Sequence, residues 1–234
     1  MSQEHNPEAP DATVKEPRQV AAMFDRVAAG YDRTNTVMVA GQDRGWRRAT
    51  RAALELGPGQ RCLDLGAGTG VSTAELAKSG ADVVGVDMSL GMMAEHGDRD
   101  VNLVAANALN LPFGDGTFDA VTGSFFIRNV SDVDACLVEA RRVLKPGGRL
   151  VLCEITHPTW QPFRFAHGLF VKHFLPRVAG AVGSDKEAYT YLSETIDEWP
   201  EAADFADQIV RAGFKQVAWR NLSGGAVALH RGYK

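Results

Sequence analysis

Two aspartates and three glycines carry the first chemical signal in this sequence. The apolar run Cys62-Leu63-Asp64-Leu65 holds a carboxylate and then breaks into Gly66, Gly68 and Gly70, at every second position. A helical pattern, Val71 to Lys78, follows at once. Strand, glycine turn and helix form the entry to a doubly wound α/β sheet, where ligands bind at the carboxyl ends of the strands. Glycine lets the backbone turn with positive φ and lets a ligand lie against the main chain. The next predicted strand, 82–87, ends in Asp87, about 20 residues downstream, where the partner of a ribose hydroxyl belongs. The combination points to a ligand that carries a nucleoside.

The loop narrows the choice of nucleoside. A dinucleotide fingerprint, G-x-G-x-x-G, would need glycine where Val71 stands. The pattern D-x-G-x-G-x-G resembles the first motif of class I S-adenosylmethionine (SAM) methyltransferases. A pyrophosphate needs helix-terminal N–H groups facing it; SAM has no phosphate and needs only close backbone approach, with carboxylates free to meet a cation. Asn107-Ala108 follows the third predicted strand, and an amide there offers both a donor and an acceptor to an adenine edge. Its plain alternative is a loop asparagine. Ser124 closes the fourth strand at the same sheet edge as Gly66 and Asp87.

The elements that position these residues alternate regularly. Strands are predicted at 61–65, 82–87, 102–106, 118–124 and 149–155. Helices are predicted after Gly70, after Ser89 and from Ser131 to Leu144, the last with Val133, Leu137, Val138 and Val143 as a buried stripe. Lys145-Pro146-Gly147-Gly148 reads as a helix stop and turn. Alternating strands and helices imply a parallel sheet. A helix over 203–211 and two strands at 216–221 and 226–230, separated by Ser223-Gly224-Gly225, close it with an antiparallel hairpin. The whole is the class I methyltransferase architecture: Rossmann-like, mostly parallel, seven-stranded.

Around this core the sequence predicts a polar tail over 1–15 and a single domain over 16–234. Residues 16–58 form a helical cap, interrupted at Gly30-Tyr31-Asp32, with Val20, Met23, Phe24 and Val27 on one face. From spacing alone Tyr31 and Asp32 read as a turn tyrosine and a capping aspartate. Residues 156–200 form a helical insertion; Trp160 to Trp199 holds eight of the nineteen aromatic residues, interleaved with Arg164, His167, Lys172, His173 and Arg177. Most of these rings are expected to pack inward, and the sharper reading is a lid for a greasy acceptor with a basic rim suited to an anionic membrane surface.

Composition excludes other classes. Net charge is −4 over 234 residues, which disfavours a general nucleic-acid footprint. No apolar run approaches the ~18 residues of a membrane span. Cys62, Cys136 and Cys153 form no C-x-x-C pair and read as buried free thiols of a reducing cytosol. The six histidines show no metal-ligand spacing, so no metal is expected.

Segments outside the glycine loop make the likeness narrower. Met23-Phe24-Asp25-Arg26-Val27-Ala28, Leu111-Pro112-Phe113, Arg128-Asn129-Val130, Leu175-Pro176-Arg177-Val178, Tyr189-Thr190-Tyr191-Leu192 and Ala228-Leu229-His230-Arg231-Gly232-Tyr233 resemble the UbiE/MenG family of ubiquinone and menaquinone biosynthesis C-methyltransferases, most of all its demethylmenaquinone branch. The resemblance implies SAM as cofactor, with Asp64, Gly66, Gly68, Thr69, Gly70, Asp87, Asn107, Ala108 and Ser124 around it. It implies Tyr31, Arg128 and Asn129 on the acceptor side. It also implies a lipid-like quinol acceptor, peripheral contact with the inner face of a membrane from the cytoplasm, and a homodimer. The chain departs from the family at Ser124-Phe125-Phe126-Ile127-Arg128-Asn129, where Phe126 replaces a glycine. Other readings are a SAM methyltransferase for another small acceptor (a phenol, amine or sterol) and a non-catalytic SAM-binding component of a quinone-synthesis complex. An NAD-dependent oxidoreductase is a further one, against which Val71 stands.

Overall fold

The computed structural model describes residues 16–169 and 186–234. The predicted tail, and Phe170, Lys172, His173, Phe174 and Arg177, lie outside the described residues, as do the side chains of His167 and Tyr189. Three helices open the described residues: α1 (Pro17–Val27), α2 (Tyr31–Met38) and α3 (Asp43–Leu54). The sequence predicts two here. Gly30, in the left-handed region at φ 80°, separates α1 from α2, which starts at Tyr31. Ala40 and Gly41, also at positive φ, divide α2 from α3.

The core then alternates: β1 (Arg61–Leu65), α4 (Val71–Ala77), β2 (Asp82–Asp87), α5 (Leu90–Ala94), β3 (Asn102–Ala105), β4 (Phe118–Ser124), a 3₁₀ turn (Ile127–Asn129), α6 (Val133–Val143) and β5 (Leu144–Ile155). Then come α7 (Gln161–Leu169), α8 (Lys186–Asp197), α9 (Ala202–Arg211), β6 (Lys215–Leu222) and β7 (Val227–Tyr233). The strand order is β3-β2-β1-β4-β5-β7-β6. β7 runs antiparallel to both neighbours, and the other pairings are parallel. This is the class I SAM methyltransferase fold.

Alternation along β1 divides the core. Leu63 and Leu65 face a cluster with Val121, Leu150 and Leu152 under α6 and α9; Cys62 faces the other side with Val83, Ala120 and Leu76 under α3 and α4. Two expectations shift. Cys136, Leu137, Ala140 and Val143 form the buried face of α6, while Val138 is 57% exposed. The 3.6-residue period puts 136, 137, 140 and 143 on one side, and 138 about 100° away from 137. Strand five starts at Leu144 rather than 149, because Leu144 pairs with Phe118 before the Lys145-to-Gly148 turn bulges out and pairing resumes at Arg149. In the 160–199 region Tyr191, Ile196 and Trp199 are buried, whereas Trp160 and Phe165 are exposed.

Short caps fix the loops that matter for the site. Ser89 caps α5 by accepting from Met92 N at 3.1 Å, worth about 1 kcal/mol. Its hydroxyl also donates to Asp25 of α1 at 2.6 Å, and Gly91 N donates to the same oxygen at 2.7 Å. Asp25 thereby fastens α1 over the carboxyl end of β2. Among the described residues no helix is long and apolar enough to cross a membrane.

Candidate active site

A cavity of about 750 Å³ lies over the carboxyl ends of β1, β2, β3 and β4 and beneath α1 and α2. One half is built by the glycine loop. Gly66 and Gly68 adopt φ 64° and 55°, which bares the loop's backbone toward the cavity. Asp87 closes β2 with both carboxylate oxygens fixed: Gly68 N donates to Oδ2 and Ser89 N to Oδ1, each at 2.8 Å. Burial raises the Asp87 carboxyl above its ordinary range, and these two backbone donors oppose the rise. Ala106, Asn107 and Ala108 continue the wall from β3, and Ser124 from β4. The Asn107 Oδ1 accepts from Leu109 N at 2.9 Å, which leaves its NH₂ group as the donor for a ligand.

Thr69 belongs to a strut that sequence reasoning missed. Its hydroxyl donates to Asp32 Oδ1 at 2.7 Å, and Arg99 Nη2 donates to Asp32 Oδ2 at 2.5 Å. Arg99 also reaches Thr69 O at 3.2 Å. Three remote segments, α2, the glycine loop and the chain after α5, thus share one ion pair. Asp64 and Gly70 lie behind the cavity wall rather than in it. Asp64 is buried and accepts from Thr73 at 2.8 Å; burial pushes its carboxyl up to about 7. It holds α4 against β1.

The other half of the cavity is apolar apart from one cluster. Val20, Met23, Phe24 and Val27 come from α1, Ile155 from β5, and Leu192 and Ile196 from α8. Tyr31, Arg128 and Asn129 line it together. Arg128 is buried in the 3₁₀ turn, and its Nη1 donates to Glu154 Oε1 at 2.7 Å and to Phe125 O at 2.8 Å. Glu154 is buried as well and also accepts from Ile155 N. Arg128 Nε, Glu154 Oε2 and the Tyr191 hydroxyl are buried with no hydrogen-bond partner among the described residues. Burial raises both phenols, Tyr191 to about 12, so both keep their protons at neutral pH. Sequence reasoning passed over Glu154, the buried partner of Arg128, and Tyr191, which lines the cavity. Buried polar atoms without partners are rare; two of these three belong to the Arg128–Glu154 pair, and the third to Tyr191 in the cavity wall.

Phe126 lines the cavity, and its ring is seated against the sheet. It packs into a notch between two glycines: a Cβ built on Gly66 would lie 2.3 Å from the Phe126 Cβ, and one on Gly123 2.3 Å from its Cε1. The strained turn residue is Phe125, at φ 58°. Arg128 and Asn129 follow in the 3₁₀ turn.

The donor set fits SAM. Asp87 retains acceptor capacity for ribose hydroxyls, Asn107 offers an amide donor, and the bared loop suits a ligand without phosphate. Among the described residues no three His, Cys, Asp or Glu side chains gather as a metal site.

Comparison with known proteins agrees with this geometry. The sequence model of the ubiE/COQ5 methyltransferase family matches residues 12–234. The chain is 58% identical over 220 residues to a demethylmenaquinone methyltransferase of Mycobacterium bovis, covering 94% of each chain. It is 57% identical to one of Mycobacterium marinum, covering 94% of this chain and 95% of the other. Among solved structures, a SAM-dependent methyltransferase of Thermotoga maritima, described as a possible histamine N-methyltransferase, superposes with a TM-score of 0.62 at 22% identity. It covers 91% of this chain and 99% of the other, a likeness of fold.

Proposed function

The chain belongs to the ubiE/COQ5 methyltransferase family, and we propose that this member C-methylates the ring of a reduced prenylated quinone, with demethylmenaquinol becoming menaquinol. The mycobacterial relatives' names supply the acceptor. The observation that carries the reading is one continuous cavity. It joins a nucleoside-binding edge at Asp87 to an apolar chamber with a buried guanidinium, Arg128, in its wall.

When bound, SAM supplies an electrophilic methyl group on a sulfonium. The chain must bring the acceptor's ring carbon into line with it, and such orientation can supply on the order of 7–11 kcal/mol. A quinol carbon becomes nucleophilic when the neighbouring phenol loses its proton. Arg128 suits the resulting phenolate: a guanidinium stays protonated in proteins, so it stabilises the charge rather than taking the proton. Glu154 holds that guanidinium in one orientation. Asp32 is committed to Arg99 and Thr69, so it is a strut and not the base. Tyr31 keeps its own proton, so it serves as a donor to the ring oxygen, and the phenol proton passes to water. Once the methyl has left sulfur for the ring carbon, that carbon gives up its own hydrogen as a proton and the ring oxygen takes one back, so the net release is one proton. Asn129 orients the same oxygen. The apolar wall of α1 and α8 takes the start of the prenyl chain, and in this reading α1 to α3 are the cap and the helices between 156 and 200 the lid. A lipid acceptor is met at a membrane surface.

The test is transfer of label from methyl-labelled SAM to demethylmenaquinol, beside the oxidised quinone as control. Label in the quinol alone supports the reading. Equal label in both, or label in neither while SAM binds, overturns it and favours another acceptor.

A further inference from the structure

A second, shallower concavity of about 450 Å³ runs beside the first, between α3 and α4. Its lining is mostly cationic: Arg44, Arg47, Arg48 and Arg51 from α3, then Lys78 and Arg99, against one acid, Glu75. The four arginines stand at i, i+3, i+4 and i+7, so one face of α3 carries them all. Local acids neutralise only part of this charge. Arg47 pairs with Asp43 at 2.7 Å, Arg51 and Lys78 share Glu75 at 3.0 and 2.6 Å, and Arg99 pairs with Asp32. Arg44 and Arg48 are exposed and make no ion pair among the described residues. The chain as a whole is at −4, so this excess is a local feature and not a consequence of composition.

The position of the groove gives it a meaning. Arg44, Arg47, Val71 and Arg99 line both the groove and the reaction cavity. Val37, which also lines the cavity, is 56% exposed, a bare apolar side chain at its rim. A basic face beside an apolar rim is the arrangement that holds a peripheral protein on an anionic bilayer, the cations on phosphate headgroups and the apolar group at the acyl boundary.

We propose that the α3–α4 groove is the surface by which this protein docks on anionic phospholipid, bringing the mouth of the reaction cavity against the bilayer. The inference deepens the proposed function, since a prenylated acceptor lives in that bilayer, but its first test does not depend on catalysis. The full chain is sedimented with phosphatidylcholine vesicles and with vesicles of about 70:30 phosphatidylcholine to phosphatidylglycerol. Binding is expected only to the anionic vesicles, and it is expected to fade as salt shortens the Debye length from about 10 Å at 0.1 M to about 3 Å at 1 M. The variant Arg48→Glu/Lys78→Glu changes two residues that line the groove alone. Each cation near an anionic surface is worth roughly a fivefold factor, so the double reversal is expected to weaken partitioning by more than about twentyfold.

The second arm uses turnover. With a quinol of truncated tail in solution, the variant is expected to keep the kcat of the unmodified protein. With quinol embedded in anionic vesicles, its KM is expected to rise by about tenfold or more, as the lost partitioning implies. Equal binding to neutral and anionic vesicles, unchanged binding by the variant, or capture of RNA without capture of vesicles would overturn the proposal. Vesicle binding without methylation of any quinol would instead refute the proposed function and leave the docking surface standing.

Discussion

Gly66→Ala places a methyl group where Phe126 already stands. The new Cβ would lie 2.3, 2.6 and 2.9 Å from Phe126 Cβ, Cγ and Cδ2. Carbon atoms prefer about 3.5–4.0 Å, so the overlap is about 1 Å at the two nearest atoms. Overpacking of this kind costs about 1–3 kcal/mol. Alanine at φ 64° adds the left-handed penalty, about 1–2 kcal/mol. The single variant should therefore lose roughly 2–5 kcal/mol, measured by urea unfolding with the slope m held constant. Phe126→Gly alone should lose about 3–5 kcal/mol through the emptied notch. The double variant removes the clash while keeping the left-handed alanine, so it should be more stable than the sum of singles by about 1–3 kcal/mol. Additivity within ~0.5 kcal/mol, as for independent sites, would refute the claim that Gly66 and Phe126 form one packing unit. The SAM affinity of Gly66→Ala should fall with its stability and recover in the double variant.

The buried Arg128–Glu154 pair beside the cavity gives a further expectation. Glu154→Gln leaves the buried Arg128 without its counter-charge, which should destabilise the protein by about 3 kcal/mol in urea unfolding and lower kcat, with Glu154→Asp recovering part of both. Arg128→Lys, a point charge in place of a planar fork, should lower kcat on the order of 100-fold with little change in SAM binding by calorimetry. In the strut, Arg99→Ala should loosen α2 from the glycine loop and weaken SAM binding by about two- to fivefold in the same calorimetry, a small effect because the Arg99–Asp32 pair is partly exposed. Asp64 gives a pH signature. Burial raises its carboxyl from 3.8 to about 7, so the folded chain holds a proton there that the unfolded chain releases. The stability this contributes is full below about pH 4 and is lost as pH rises through about 7. Asp64→Asn should therefore gain on the unmodified protein above about pH 7, by up to about 4 kcal/mol, and lose that advantage near pH 4, as urea unfolding across pH would show.

Much of the fold was legible because its signals are local. Gly66, Gly68 and Gly70 after an apolar run, Asp87 at the end of the next, and Ser223-Gly224-Gly225 between two late strands each declare a turn by backbone chemistry alone. β1, β2 and β4 follow the expected bounds for that reason. Val138 escapes the expected stripe because an apolar residue says nothing of which side of a helix it takes. The extra helix at Tyr31 was hidden because Gly30 reads equally as a break or as a start. The site was legible only where a motif announces it. Asp32 with Arg99, and Arg128 with Glu154, are separated by 67 and 26 residues, and pairings of that kind have no sequence period. Glu154 lies inside a strand of apolar neighbours, where only the three-dimensional contact reveals its partner.

The methyl group is expected to go to a ring carbon of a phenolate steadied by Arg128. The most direct measurement is the carbon-13 spectrum of the product formed from SAM labelled in its methyl group and demethylmenaquinol kept reduced. A single enriched methyl resonance in the aryl-methyl region is expected, absent when the acceptor is oxidised beforehand. An enriched methoxy resonance would contradict it, because the oxygen and not the ring carbon would then be the nucleophile.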